Sequence, residues 1–325
     1  MKLAIIGAGM IVYDFLSFIK EIPEIELKAI SGVESDLENM KKLKEKYKIE
    51  DIFTDYDKCL SEADIDTVYI ALPNHLHYSF SKKALESDFH VICEKPFTSK
   101  LDEMKDLRSL AKEKELVLLE AITNQYLSNY HEIKEQIKNL GDIKIINCNY
   151  SQYSSRYDAF KEGNVLPAFN PKMAGGALMD INIYNIHFVV GLLGSPDEVN
   201  YLANVEKGID TSGVLVLNYG DTKVICIGAK DSTAPIRSTI QGTKGSIILE
   251  GPTNVVNYFT LIMNKQEEIK YDKKIHSHRM YEEFKKFAQV IAKKDMSFVD
   301  KQLEHSQKVM GVVEKALESA GIKLG

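Results

Sequence analysis

The feature that constrains this chain most stands at its start. Lys2–Ile6 is a short apolar run that ends in Gly7, and Gly9 follows just before Met10, Ile11 and Val12. A strand that runs through a glycine turn into a helix aims backbone N–H groups at the helix N-terminus, where they and the helix dipole accommodate a phosphate. Gly7 fits the tight turn and Gly9 the close approach of backbone to a pyrophosphate, so the context points to a dinucleotide. A purely structural turn is the alternative. Val12 stands at the third glycine of the usual pattern, which predicts looser packing of helix on strand there.

The first 120 residues repeat this alternation. Strand candidates are Lys2–Ile6, Ile25–Ile30, Thr67–Ala71, His90–Cys93 and Leu116–Leu119, with helical patterns between them. Met104, Leu107, Leu110 and Ala111 keep the spacing of one apolar helix face, and Ser99 with Asp102 fits a capping pair at its start. Right-handed crossovers then give an α/β fold: an N-terminal Rossmann doubly wound parallel sheet. At the end of the second strand, Ser31 stands where an acid commonly holds the adenosine ribose, Glu34 can supply that acid from the loop, and no Arg is nearby for a 2′-phosphate. The cofactor is therefore NAD or NADP, with a lean to NAD; the other reading of Glu34 is a solvated loop residue.

After Glu120 the pattern changes. A helix near Ser128–Leu140 precedes a long strand through Ile143–Tyr153, and between Glu198 and Tyr271 turn residues at Asn218–Asp221, Gly242–Gly245 and Asn264–Lys265 separate β-rich runs. Tyr281, Phe284, Phe287, Ala288 and Ile291 then share one helix face, and a second helix falls near Gln302–Ala320. The expected division is residues 1–121 as a dinucleotide-binding domain and 122–325 as a C-terminal α+β domain on a largely antiparallel sheet.

Composition excludes several classes. Lys+Arg at 41 against Asp+Glu at 47 leaves a net charge of −6, which offers no general attraction to nucleic acid or to an anionic membrane. No run is expected to reach the roughly 20 apolar residues that span a bilayer, and the apolar opening, cut by Gly7, Gly9 and Asp14, reads as a strand and turn rather than a signal peptide. A cytoplasmic protein is expected. Cys59, Cys93, Cys148 and Cys226 lack zinc-site spacing and read as reduced, mostly buried thiols, and neither His75 with His77 nor His276 with His278 has companions for a metal, so none is expected. No G-x-S-x-G turn supports a serine hydrolase.

Three further stretches make the chain resemble the Gfo/Idh/MocA oxidoreductases. Ala71, Leu72, Pro73, Asn74, His75, Leu76 and His77 match that family's P-N-x-x-H turn; Glu94, Lys95 and Pro96 match its E-K-P; and Gly175 through Tyr184 resembles its G-G-x-x-x-D-x-G-x-[HY] helix. Glu120 and Ala121 fit the hinge after the first domain. The chain departs from the pattern at Val12, at Asn182 in place of the helix glycine, and at Gln125, where many relatives carry Arg. The resemblance implies a small-molecule hydroxy or carbonyl substrate of the sugar, polyol or dihydrodiol class. It implies cofactor contacts from Gly7, Gly9, Met10, Ile11, Ser31, Glu34, Leu72, Pro73, Asn74, His77, Glu94 and Lys95. It further implies an open sheet that serves as the interface of a homodimer or homotetramer. Related chains that hydrolyse glycosides with retained NAD, and a non-catalytic nucleotide sensor, are the alternatives.

Oxidising a carbinol needs a hydride acceptor and a base for the hydroxyl proton, and the reverse reaction needs the same group as an acid. Asp180 and Tyr184 are spaced i and i+4, so a helix puts both on one face. A nearby ammonium lowers a tyrosine pKa from about 10, and Lys95, held beside Pro96 at the carboxyl edge of the sheet, is the candidate ammonium. By resemblance Lys95 polarises the substrate oxygen, Tyr184 is the proton donor and acceptor, and Asp180 orients one of them or the substrate. Lys95 could instead be an exposed structural lysine, Asp180 a helix cap and Tyr184 ordinary core. Gln125, Tyr153, Arg156 and His187 are candidate substrate residues. His187 reads equally as a satisfied interior histidine and Arg156 as a solvated surface residue.

Overall fold

The computed structural model describes residues 1–324. The chain forms two compact units, Met1–Ala121 together with Glu283–Glu304, and Ile122–Glu282 together with the chain from His305 onward.

In the first unit, β1 (Lys2–Ile6), β2 (Glu26–Ser31), β3 (Asp51–Phe53), β4 (Thr67–Ile70), β5 (His90–Glu94) and β6 (Leu118–Ala121) make a six-stranded sheet in the order β3-β2-β1-β4-β5-β6. Every pairing is parallel, so the doubly wound expectation holds. β3 has no counterpart among the expected strands, because three residues at a sheet edge carry too little apolar pattern to stand out. Helices α1 (Met10–Phe18), α2 (Leu37–Tyr47), α3 (Tyr56–Glu62), α4 (His77–Glu86) and α5 (Leu101–Glu113) connect the strands. The cap of α5 differs from expectation. Glu103 Oε2 accepts from the backbone N–H groups of Ser99 and Lys100 at 3.1 and 3.2 Å, so the first turn is closed from the glutamate rather than by Ser99 with Asp102.

The expected second domain, residues 122–325, does not stay whole. Glu283–Glu304 belongs to the first unit, because the apolar face of the helix over Tyr281–Lys293 packs there. Phe284 lies 4.4 Å from Phe15 and 5.1 Å from Tyr69 between ring centroids, and Phe284 and Phe287 are fully buried. Aromatic pairs at such separations add to their area burial.

In the second unit, α6 (Ser128–Gln136) leads into β7 (Ile143–Ser151), then α7 (Tyr157–Lys161) and α8 (Ile183–Leu193). The strands β8 (Glu198–Glu206), β9 (Ile209–Tyr219), β10 (Thr222–Ala229), β11 (Arg237–Gly242), β12 (Gly245–Glu250), β13 (Phe259–Met263) and β14 (Ile269–Tyr271) join β7 in an eight-stranded sheet, order β14-β13-β12-β11-β7-β10-β9-β8. Within this sheet, among the described residues, only β7 with β10 pairs in parallel. The last helices are α9 (Tyr281–Lys293) and α10 (Met296–Ser319), the latter starting earlier than the expected Gln302. Contrary to the expectation that no run is long enough, Pro171–Leu193 is long and apolar enough to cross a membrane. Its apolar window is 72% buried inside the protein, the signature of a core helix. The four cysteines are free and buried.

Candidate functional site

In the first unit, the glycine turn is built as the sequence suggests. Gly7 has φ +114°, and a Cβ there would run into the carbonyl oxygen of Ala71 and lie 3.0 Å from its carbonyl carbon. Only glycine combines that torsion with that approach. The Gly7 N–H donates to the Ser31 carbonyl at 2.7 Å, which ties the turn to the end of β2. Gly9 begins α1 with no side-chain cap, and a Cβ on it would meet nothing within 4 Å. Met10 beside it is 71% exposed. Uncapped N–H groups fronted by open space fit a dinucleotide pyrophosphate. Val12 is completely buried, so at this point the helix is not slack against its unit.

Ser31 is buried and Glu34 is exposed at the first turn after β2. Leu72, Pro73 and Asn74 are half-buried. His77 is fully buried, with Nδ1 2.8 Å from the Pro96 carbonyl oxygen and Nε2 2.8 Å from that of Leu72. Its ring therefore fastens the Pro73–Leu76 turn to the segment after β5 instead of being offered to a ligand. Burial holds its pKa below the usual histidine range, against the two backbone hydrogen bonds, and the nearby Lys95 charge lowers it further. Glu94 is buried and accepts from Tyr69 Oη at 2.6 Å, while Glu120 accepts the Phe97 N–H at 3.0 Å. Between these anchored neighbours Lys95 is half-buried, and the Lys95–Pro96 peptide is cis.

In the second unit, Asp180 sits in a wide π-type turn, Leu178–Asn182, that continues into α8, which holds Tyr184. Such turns recur at functional sites. Asp180 is not the helix cap. The Leu178 N–H donates to Asp210 Oδ2 at 2.6 Å, so the cap comes from β9. The two glycines ahead of the turn make this possible. Gly176 has φ +104° and a Cβ there would collide with Asp210 Oδ1, while one on Gly175 would stand 2.6 Å from the Pro167 carbonyl oxygen. Asp210 is completely buried and also accepts from Tyr201 Oη at 2.8 Å. Burial pushes its pKa up to about 6, against the Leu178 and Tyr201 hydrogen bonds and the Lys230 charge.

Asp180 itself is ion-paired to Lys230 at 2.7 Å. Tyr184 is buried, its backbone carbonyl accepting from Asn124 Nδ2 at 2.8 Å and its ring 6.3 Å from that of Tyr150. Asn182, at the helix-glycine position of the motif, is fully buried and donates to the Cys226 carbonyl at 3.2 Å. Gln125 is buried with its amide nitrogen donating to Asn124 Oδ1 and to the His187 carbonyl, so it braces α8. His187 is an interior residue, Nδ1 lying 3.0 Å from His305 Nε2. Burial and the facing His187 hold His305 well below the usual histidine pKa. Tyr153 is exposed and donates to Asp158 at 2.8 Å, and Arg156 is half-buried at the start of α7. Asp210 and Lys230 escaped sequence reasoning because each lies in or just after a strand far from the motif it serves. Among the described residues no group of three or more His, Cys, Asp or Glu could hold a metal.

Comparison with known proteins agrees with this arrangement. Residues 1–122 match the model described as "Oxidoreductase family, NAD-binding Rossmann fold", and residues 130–248 match the Gfo/Idh/MocA C-terminal domain. The chain is 31% identical to scyllo-inositol 2-dehydrogenase (NADP(+)) IolU of Bacillus subtilis, over 99% of this chain and 98% of that protein. It is 26% identical to trans-1,2-dihydrobenzene-1,2-diol dehydrogenase of Xenopus tropicalis, over 83% and 81% of the two chains. A crystal structure of KijD10, a 3-ketoreductase from Actinomadura kijaniata in complex with NADP and TDP-benzene, shares the fold with TM-score 0.82 at 19% identity, covering 97% of this chain and 98% of that one. With both of its domains matched in order and a relative aligned along nearly its whole length, the chain belongs to the Gfo/Idh/MocA family of NAD(P)-dependent oxidoreductases.

Proposed function

We propose that this oxidoreductase interconverts a secondary alcohol and a ketone on a polyol or dihydrodiol, with Lys95, Asp180 and Tyr184 as the residues that handle the substrate oxygen and its proton. The observation that carries the reading is the Asp180 carboxylate, ion-paired at 2.7 Å to Lys230, one turn ahead of the buried Tyr184. A carboxylate and a phenol four residues apart supply a fixed acceptor and a proton-transfer group. The names of the inositol and dihydrodiol relatives support the substrate class.

When bound, the nicotinamide supplies hydride transfer. The open Gly7–Gly9 turn and the N-terminus of α1 would hold its pyrophosphate, and the end of β2 with Glu34 its adenosine ribose. Tyr184 gives or takes the proton at the substrate oxygen, Lys95 polarises that oxygen, and Asp180 orients Tyr184 or a substrate hydroxyl. The exposed Glu34 carboxylate would repel a 2′-phosphate, and Lys41 is ion-paired to Glu38 at 2.7 Å, so NAD is the preferred cofactor in this proposal. A homodimer or homotetramer joined through the eight-stranded sheet, a cytoplasmic location, and no nucleic-acid or membrane partner complete it.

Titrating NADH and NADPH separately by nicotinamide fluorescence, then assaying scyllo-inositol, myo-inositol and a trans-dihydrodiol with the tighter cofactor, tests the reading. Saturable binding with reduction of NAD by one of these alcohols is expected. Tighter NADPH binding would reverse the cofactor preference. Release of free sugar from a glycoside with retained NAD and no NADH would replace the oxidoreductase reading with the hydrolase one, and binding without any turnover would favour the sensor.

A further inference from the structure

The second unit holds a charged residue that the motif of its family does not contain. Lys230 follows β10 directly, and its side chain is 3% exposed. Its backbone is fixed on both sides, the N–H donating to the Thr211 carbonyl and the carbonyl accepting from the Ser154 N–H, each at 2.8 Å. The ammonium donates to the Ala168 carbonyl at 2.6 Å, pairs with Asp180 Oδ2 at 2.7 Å, and lies 4.2 Å from the centroid of the Phe169 ring. A carbonyl, a carboxylate and an aromatic face suit the three donors and the charge of a lysine removed from water.

The exposures of the two partners differ. Asp180 keeps 32% of its side chain accessible against 3% for Lys230. A pair serving only the interior would bury both ends, since a charge left half in water gains little from its partner. Here the lysine grips the carboxylate from behind and leaves part of it accessible. The same ammonium reaches the Ala168–Phe169 segment, which belongs to a buried apolar cluster of Tyr157, Phe160, Phe169 and Ile209. Behind it stands the buried Asp210, which caps the turn that carries Asp180 and feels the Lys230 charge. One cation thus joins the loop before the glycine pair, the turn with Asp180 and the carboxylate beneath that turn.

We propose that Lys230 is a positioning residue of the oxidoreductase reaction: it holds Asp180 ionised and aimed, and pins the Ala168–Phe169 segment against the turn. This rests on the reading of Asp180 as a site residue. The lysine acts through Asp180 and touches no reacting atom.

The test compares Lys230→Met, Lys230→Gln and Lys230→Arg in the full chain, with Asp180→Asn alone and combined with each neutral variant. Infrared difference spectra are recorded across a pH titration, a measurement that needs no substrate. In Lys230→Met a protonated-carboxyl absorption additional to that of Asp210 is expected to persist to a pH at least about one unit higher than the Asp180 component does in the wild type, and this component is expected to be lost in Lys230→Met/Asp180→Asn, where the Asp210 absorption stays. Lys230→Gln, which keeps a donor for the Ala168 carbonyl, carries the same titration if the methionine variant does not fold. Lys230→Arg is expected to retain the wild-type titration. With scyllo-inositol as substrate, kcat should fall tenfold or more in the two neutral variants, KM for the nicotinamide cofactor should stay within threefold, and the acid limb of kcat should move up with the infrared titration. An unmoved Asp180 component, read as the difference between each neutral variant and its Asp180→Asn counterpart, or a moved one with kcat unchanged, overturns the proposal. A wild type that oxidises none of the alcohols sinks the proposed function instead, and the infrared result still decides whether Lys230 controls Asp180.

Discussion

Asn182 and Gly228 are fitted to one another: a Cβ on Gly228 would stand 2.7 Å from the Cβ of Asn182. The asparagine that replaces the motif glycine is accommodated by a glycine on β10, and its amide bonds to Cys226 on the same strand. Gly228→Ala therefore overpacks a fully buried contact and should destabilise the chain by about 1–3 kcal/mol. Asn182→Gly should be costly alone, since it also removes the bond that Asn185 makes to its side-chain oxygen at 2.9 Å. In urea unfolding the double variant should cost less than the two singles added together, by about 1 kcal/mol. Additive losses would mean the two residues do not share this space.

Much of the first unit was legible because its signals are local. β1, the glycine turn and the helix face of Met104, Leu107 and Ala111 each lie within one short stretch, and the structure keeps them. What the sequence concealed depends on chain segments far apart. Asp210 and Lys230 belong to β9 and the end of β10, and only the sheet brings them beneath Leu178 and Asp180. The spacing of Asp180 and Tyr184 was readable; the wide turn between them was not, since the hydrogen bond that the Leu178 N–H donates to Asp210 fixes its start. Gln125 and His187 looked like pocket residues because both follow recognisable motifs. Their polar atoms instead serve α8 and His305, a use that no spacing announces.

Gly7→Ala should abolish saturable NADH binding, because the added carbon meets the Ala71 carbonyl and φ +114° is closed to alanine. The expected thermal signature is a lower Tm alongside the lost fluorescence titration. Gly9→Ala, whose Cβ meets nothing, should leave Tm within about 2 °C, a surface-like change, while weakening cofactor binding at least tenfold. A Gly9→Ala variant that binds NADH as the wild type does would place the dinucleotide away from this turn.

Lys95→Ala should lower kcat by two or more orders of magnitude and change NADH affinity by no more than several-fold, as for a group that acts mainly in the transition state. Tyr184→Phe should remove the ionisation that Tyr184 contributes to the pH profile of kcat/KM. Stopped-flow measurement of cofactor binding alongside steady-state turnover separates the two effects. Equal activity in Lys95→Ala would end its catalytic assignment, and an unchanged profile in Tyr184→Phe would pass the proton to another group.

Asp210 makes stability depend on pH in a direction opposite to that of a surface carboxylate. Its folded pKa is about 6 against an ordinary 3.8, because burial disfavours the charged form. Between those values the folded chain keeps a proton that the unfolded chain has released, so this residue's contribution to stability falls as pH rises from about 4 to about 6 and is level above that. A shift of about two units corresponds to roughly 3 kcal/mol in all. Asp210→Asn removes the titration while an oxygen remains to accept from the Leu178 N–H. Urea unfolding of both proteins at pH 4, 5, 6 and 7 should therefore show the wild type losing stability relative to the variant by up to about 3 kcal/mol across that range. Other titrating groups cancel in the difference, so parallel stability curves would show that Asp210 is already ionised at pH 4 and that the Leu178, Tyr201 and Lys230 contacts outweigh its burial.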